Sequence, residues 1–348
     1  MHNIFSEVVS MLEMIKELSL LDGVSGREHA VRNYIINAVK DYADSIETDP
    51  LGNLIVFKKG AQTPKNKVML DAHMDEVGMM ITYINSDGTL EFSCVGGIDK
   101  RVMLGRPVTV GENKIDGVIG VKAVHMVSAA EKLDMPKTMY IDIGADTKEE
   151  AEKVVALGDY VCFKSDFVEF GDGLIKGKAL DDRAGCAILI DMIKSDLPYD
   201  MYFNFAAGEE VGFGIATTAF YRVQPDYAIV VETTTAADLA DVPENKRVCA
   251  LGDGGVVSFM DRRTIYPKEL FDKAFELAKK HGIKAQVKSL VAGGNNAGVI
   301  HKTAGGVKTI TVSLPCRYLH SPSCVLNKDD VTEGARLIRV LAEELANG

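Results

Sequence analysis

The chain has no tryptophan. Indole is a frequent platform on which sugars stack, so a carbohydrate-binding cleft loses support at the outset. Cysteine is sparse and scattered. Cys94, Cys162, Cys186, Cys249, Cys316 and Cys324 form no C-x-x-C pair. That excludes a zinc-finger type of site and makes reduced thiols in a cytoplasmic protein the expectation. Cys316 and Cys324 flank His320, but free cysteine commonly serves as a small buried apolar residue, and both are read so. No run approaches the roughly 18 apolar residues of a membrane span. Residues 1–16 space their apolar positions as an amphipathic helix interrupted by acids, which excludes a signal peptide. Like-charge blocks and low-complexity tails are also missing. The formal net charge is −11, which argues against a nucleic-acid surface. Neither nucleic acid nor membrane is expected as a partner.

What is present is an ordinary globular composition, 47% hydrophobic and 26% charged over 348 residues. That is ample for one large domain or two. Ser25-Gly-Arg-Glu28 fits a capping box opening a helix that runs to about Ala43. Asn53-Leu-Ile-Val-Phe57 and residues 67–72 read as strands. Between about residues 77 and 163 the character changes to short β-like runs, at 79–84, 90–94, 106–110, 117–121 and 139–143, with one helical signal over 147–156. Helix–strand alternation then resumes. Helices are expected over 182–193, 217–222, 267–281 and 329–346, and strands over 201–207, 227–231 and 308–312. The fold expected is α/β, a twisted, mixed, mostly parallel sheet with helices on both faces, plus an inserted small β-barrel-like domain. Residues 1–75 and 164–348 would form the discontinuous catalytic domain, and residues 76–163 the insert. Sites in such sheets lie beyond the carboxyl ends of strands.

Glu209 and Glu210 stand out. They follow Gly208 and the apolar run 201–207, and adjacent acids at a strand end are hard to explain by packing. The pair suggests divided labour, one acid holding a metal and the other moving a proton. Other strand ends carry ligand-type side chains. His73 ends an apolar strand, and Asp75 stands where it could orient the imidazole. Alone, a His-x-Asp reads more readily as a packed histidine. Asp182 reads as a helix N-cap, which leaves Asp181 to be explained; a carboxylate can bridge two cations through its two oxygens. Glu232 closes the apolar run Ala228-Ile-Val-Val and by itself reads as a solvated acid. His320 follows the last strand and a turn. Two histidines and three carboxylates, with one spare, suit a borderline divalent metal such as zinc or cobalt. Asp181, Glu210, Glu232 and one hydroxide would balance two divalent cations.

With these residues in view, the chain resembles the dinuclear metallo-aminopeptidases of metallopeptidase family 42. That family includes tetrahedral, glutamyl and deblocking aminopeptidases and members once labelled endoglucanase. The likeness spans essentially the whole chain. It rests on Val24-Ser-Gly-Arg-Glu28, Asp71-Ala-His-Met-Asp-Glu-Val-Gly78, Ala179-Leu-Asp-Asp-Arg-Ala-Gly185, Glu209-Glu-Val-Gly212, Val231-Glu-Thr-Thr-Thr-Ala-Ala-Asp-Leu239, Ser258-Phe-Met-Asp-Arg262 and Arg317-Tyr-Leu-His-Ser-Pro322. The resemblance implies a zinc-peptidase-like fold and two divalent ions, zinc or cobalt, per subunit. One would be held by His73, Asp181 and Glu232, the other by Asp181, Glu210 and His320. Glu209 would be the general base and Asp75 the support of His73. A cis peptide between Asp181 and Asp182 is also implied. The activity implied is removal of N-terminal residues from peptides by a metal-bridged hydroxide. The insert would drive dimerisation, and dimers would assemble into a dodecamer.

The sequence departs from the family pattern at two places. Gly208 stands where the family often has glutamine. Gly293-Gly-Asn295-Asn296-Ala-Gly298 replaces the usual Gly-Gly-Thr-Asp-Ala-Gly, so Asn296 keeps the shape of aspartate without its charge. Asn295 and Asn296 are therefore candidates for lining the substrate pocket. His301 is a third candidate, although it and His125 read more readily as packing or surface residues. Two competing readings are a metal-independent glycosidase using the paired carboxylates and a non-catalytic scaffold. The histidines beside the acids argue against the first, and the intact Glu209 against the second.

Overall fold

The computed structural model describes residues 2–126 and 139–348, so residues 127–138 of the expected insert lie outside the described residues. The chain opens with α1 (His2–Leu20) and α2 (His29–Val39). Strands β1 (Ser45–Thr48), β2 (Leu54–Lys58) and β3 (Val68–His73) follow. β3 is buried along its whole length, as a near-continuous apolar run is when both faces of a central strand are covered.

Six strands then come in succession. They are β4 (Gly78–Ile84), β5 (Leu90–Val95), β6 (Pro107–Val110), β7 (Ile115–Gly120), β8 (Tyr140–Asp142) and β9 (Tyr160–Phe163), with the short helix α3 (Lys148–Ala151) before the last. They close into a barrel in the order β4-β5-β8-β7-β6-β9. Alternation turns Val108 and Val110 inward, where they join Met79, Ile81, Leu90, Ile119 and Ile141 in a separate apolar core. The chain enters the barrel at Gly78, where a Cβ would fall 2.3 Å from Val24 and 2.7 Å from the Val161 carbonyl. Only glycine allows that approach.

After β9 come β10 (Val168–Phe170), β11 (Leu174–Gly177), α4 (Leu180–Lys194), β12 (Met201–Ala206), α5 (Ala216–Val223) and β13 (Tyr227–Thr235). The remainder is β14 (Gly255–Val257), α6 (Lys268–His281), β15 (Ala285–Val287), α7 (Ala297–Ile300), β16 (Lys308–Cys316), β17 (Cys324–Asn327) and α8 (Lys328–Asn347). The main sheet has eight strands in the order β1-β2-β12-β3-β13-β16-β14-β15, and β10, β11 and β17 form a small second sheet. The middle four, β12, β3, β13 and β16, are mutually parallel. Their carboxyl ends therefore emerge side by side. Helices cover both faces. Leu314 of β16 packs on Gly334 of α8, whereas Thr311 accepts a hydrogen bond from Asn295, just before α7. Residues of opposite parity on one strand face opposite sides, so α8 and α7 do too.

The expected fold class is observed, with local differences. Ser25 does not cap α2. Its hydroxyl donates to Asp75 Oδ2 at 2.6 Å, and the helix ends at Val39 instead of near Ala43. A tertiary acceptor has taken the side chain that the local pattern reserved for capping. Of the helix expected over 147–156 only α3 forms. Asp182 does cap, accepting from the Gly185 N–H at 3.1 Å. The Asp181–Asp182 peptide bond is cis. All six cysteines are free. Among the described residues, no helix is long and apolar enough to cross a membrane.

Candidate metal centre

The dispersed acids and histidines meet where the four parallel strands end. His73 closes β3, Glu232 lies in β13, and Glu209 and Glu210 form the turn after β12. Asp181 opens α4, and His320 lies between β16 and β17. Asp181 Oδ1 is 3.5 Å from His73 Nε2, and its Oδ2 is 3.4 Å from His320 Nε2. One carboxylate thus presents each oxygen to a different imidazole. His73 Nε2 also lies 3.6 Å from Glu232 Oε2, and His320 Nε2 lies 3.2 Å from Glu210 Oε2.

These separations fit donors around shared cations. Tetrahedral bonds of about 2.0–2.2 Å place neighbouring donor atoms about 3.3–3.6 Å apart. Asp181 Oδ1 and Glu232 Oε1 are buried with no hydrogen-bond partner, which leaves acceptor capacity aimed into the cluster. The charges agree. Burial pushes the Glu210 and Glu232 carboxyls well above the usual carboxylate range, against the pull of the nearby imidazoles. Burial acts to lower His320, but Asp181 and Glu210 raise it to about 10. Burial acts to lower His73 too, yet Glu232, Asp181 and Asp75 hold it well above the ordinary imidazole range. Asp181 is the exception: burial favours a rise, and the two imidazoles hold it well below the usual range. A cluster whose acids and histidines nearly all draw protons has an excess of negative charge, and divalent cations answer that demand.

The rear of each imidazole is fixed. His73 Nδ1 lies 3.1 Å from the Asp75 carbonyl and 3.4 Å from Asp75 Oδ1, and His320 Nδ1 lies 2.7 Å from the Gly97 carbonyl. A carbonyl only accepts, so Nδ1 carries a proton, and Nε2 is the nitrogen left facing the centre, where it would give its lone pair to a metal ion in place of its own proton. Gly97 follows β5, so the barrel segment supplies the contact that orients His320. The His320 backbone has φ +56°, a conformation that side-chain-bearing residues seldom adopt.

The turn carrying the paired glutamates is held by side chains from elsewhere. The Ala207 N–H donates to Asn53 Oδ1 at 3.0 Å and the Gly208 N–H to Glu28 Oε1 at 3.2 Å. The Glu209 and Glu210 N–H groups donate to the two oxygens of Asp75, at 3.0 and 3.1 Å. Asp75 thus lies behind His73 and also holds the backbone of both glutamates. Glu28 and Asn53 are contributors that the sequence reading missed. Glu28 looked like a capping residue, and no local pattern marks its partner 180 positions away. Among the described residues, no hydrogen bond or ion pair reaches the Glu209 carboxylate. Burial, aided by Asp75 and Asp181 and opposed by His73, raises it to about 7.

The asparagine loop, expected to line a substrate pocket, is tied to β3 and β16. Asn296 is buried and donates to Asp71 Oδ2 at 2.9 Å, while Asn295 donates to Thr311 and accepts from the Ala297 N–H. Their amides are engaged within the protein. His301 Nδ1 contacts the Ala297 carbonyl at 2.6 Å. Asp71 is thus held between Asn296 and Asn204, whose amide donates at 2.6 Å. Burial outweighs these donors and raises Asp71 to about 6 from 3.8. The sign follows from linkage. Between about pH 4 and pH 6 the folded protein retains a proton that the unfolded chain has released, so stability falls as pH rises through that window. The loss is of order 3 kcal/mol. Asp71→Asn removes it, and Asn204 Oδ1, which has no partner, can accept from the new amide. Urea midpoints of wild type and variant should diverge between pH 4 and 6, with the wild type falling. Parallel curves would show that Asp71 does not titrate there.

The family described as M42 glutamyl aminopeptidase matches residues 52–337. The lysyl aminopeptidase of Pyrococcus furiosus is 32% identical over 344 residues, covering 96% of this chain and 97% of that protein. The solved aminopeptidase APDkam598 of the archaeon Desulfurococcus kamchatkensis superposes with a TM-score of 0.91 at 31% identity, covering 97% of this chain and 95% of that one. The TET1 peptidase of Pyrococcus horikoshii, described as assembling into a tetrahedron or a large octahedral shell, gives 0.83 at 34% identity, covering 97% and 99%. The chain belongs to the M42 glutamyl aminopeptidase family and is, with that family, a hydrolase of peptide bonds.

Proposed function

We propose that the chain is a dinuclear metal-dependent aminopeptidase that removes N-terminal residues from peptides. The observation that carries this reading is Asp181, whose two oxygens face two different histidines. His73, Asp181 and Glu232 would hold one ion, and Asp181, Glu210 and His320 the other, zinc and cobalt being the ions such donors suit. Divalent ions so held lower the pKa of bound water and polarise a scissile carbonyl.

The chain's own residues supply the rest. Glu209, unpartnered and beside the donor set, takes the proton of the attacking water and returns it to the leaving amine. Asp75 positions that base through the Glu209 N–H and orients His73 from behind. The glycosidase alternative loses ground, because Glu210 lies against His320 and is not free to flank a sugar with Glu209.

The same reading divides the chain into a catalytic part, residues 1–75 and 164–348, and an insert, residues 76–163, that joins copies of the chain. Tyr83, Val118 and Leu157 of that segment are exposed apolar residues, and the TET1 relative is a large assembly. Dimers building a dodecamer in the cytoplasm are the form we infer. One panel tests the activity. Metal-stripped protein should hydrolyse no aminoacyl-p-nitroanilide, and added zinc, cobalt or manganese should restore turnover. Full activity after complete stripping would sink the proposal.

A further inference from the structure

Two cysteines bracket His320, and the donor set uses neither. Cys316 closes β16 and Cys324 opens β17. Just inside them the chain pairs with itself. Arg317 and Val325 exchange both backbone hydrogen bonds, each at 3.0 Å. Residues next to such a pair turn to the opposite face. Cys316 and Cys324 each precede one partner, so they share that face as diagonal neighbours. Their thiols engage each other. Their remaining contacts are weak. Cys316 Sγ donates to the Arg317 carbonyl at 3.4 Å, and Cys324 Sγ lies 3.4 Å from the Ser321 carbonyl and 3.6 Å from that of Tyr318.

Both thiols are buried, but one borders open space. Cys324 lines a small cavity with Asp181, Glu210, His320 and Ser321. Its volume of about 10 Å³ gives room for about one water-sized molecule. A small oxidant at the centre therefore meets Cys324 first and finds Cys316 behind it. Diagonal neighbours have Cα atoms about 7–8 Å apart, whereas a disulfide holds them at about 5.5–6 Å. Joining the thiols thus draws in both ends of residues 317–323. Arg317 is pinned, since its Nε and Nη2 donate to Asp238 at 2.7 Å each. The displacement falls on the part that carries His320. That residue is already at φ +56°, and Tyr318 before it at +58°, conformations that persist only while the surroundings impose them.

We propose that Cys316 and Cys324 are an oxidation site, joined by hydrogen peroxide into a disulfide that draws His320 away from Asp181 and Glu210 and lowers turnover. The effect on turnover rests on the peptidase reading of the centre; the bond itself does not. The Cys324 thiolate attacks one peroxide oxygen and the O–O bond breaks. Hydroxide leaves and becomes water with the proton the thiol gave up, and the sulfur is left as a sulfenic acid. The Cys316 sulfur then attacks that sulfur, the S–O bond breaks, and a second water leaves with the Cys316 proton. The two thiols lose two electrons in all, and one peroxide gains them. A dithiol reverses the bond by exchange.

The test treats metal-loaded protein with hydrogen peroxide and then with dithiothreitol. Peptides are mapped by mass without reductant, bound metal is counted, and turnover of aminoacyl-p-nitroanilides is followed. Peroxide should yield a peptide pair linked through Cys316 and Cys324. As that pair appears, bound metal should fall and turnover should drop by about 10-fold or more, the worth of a correctly oriented ligand. Dithiothreitol with added metal should restore both. Cys316→Ala should form no link, and Cys324→Ala should keep its turnover under the same treatment. The wild type alone decides if either variant fails to fold. Oxidised wild type without the link overturns the proposal, as does a linked protein with unchanged metal and turnover. Untreated protein that turns over no substrate sinks the peptidase reading alone, because the linked mass and the metal count still decide this one.

Discussion

Glu209→Gln lowers kcat by about 10²–10⁴-fold, the usual worth of a positioned general base, and leaves both metal positions filled. Three observations lead to this expectation. The Glu209 carboxylate has no hydrogen-bond partner among the described residues, so an amide of the same shape breaks no contact there. Its N–H remains on Asp75, so the turn keeps its course. Its neighbour Glu210, not Glu209, faces His320 at 3.2 Å. Loss of a group needed only as charge moves lowers kcat and kcat/KM together and leaves KM nearly unchanged. The experiment pairs steady-state kinetics with elemental analysis of bound metal. Normal turnover in this variant would remove Glu209 from the mechanism, and loss of metal would make it a ligand.

Asp181→Ala has a larger effect on the centre, because it releases both ions. In the proposed two-ion centre, removing Glu232 or Glu210 would take one donor from one ion, whereas Asp181 faces both histidine sides. Loss of an outer hydrogen-bond partner already weakens metal binding by about 10–100-fold; loss of a shared ligand exceeds that at both positions. The remaining acids would face each other with less positive charge between them, so turnover should fall below detection. Dialysis followed by metal analysis should find under one ion per subunit, against two in the wild type and one in Glu232→Ala. Two retained ions would show that Asp181 does not bridge.

Much of this was legible in the sequence for a physical reason. Central parallel strands are buried on both faces, so β3 and β13 read as apolar runs, and a charged or imidazole side chain at the end of such a run is conspicuous. His73, Glu209, Glu210 and Glu232 stand out in the sequence that way. The barrel showed itself through short runs with turn residues between them. The edge strands β1 and β15, and β14 beside the latter, escape the sequence, since three or four residues carry too little periodicity. Glu28 and Ser25 were misread because local capping and long-range bonding use the same side chains, and sequence separation hides the second. Asp75 and Glu209 are 134 positions apart. The loss of charge at Asn296 was visible, but its partner was not. Only the fold shows that Asn296 donates to the buried Asp71, where a second carboxylate would repel it.

The turn at residues 207–210 has a consequence for the entropy of binding. Its four successive N–H groups are each tied to a buried side chain of Asn53, Glu28 or Asp75. Fixing a residue's backbone costs about 1–2 kcal/mol in lost conformational freedom. Here that loss occurs during folding. In the proposed function a substrate arriving at the centre would find Glu209 and Glu210 already in place, and none of its binding energy would be needed to order them.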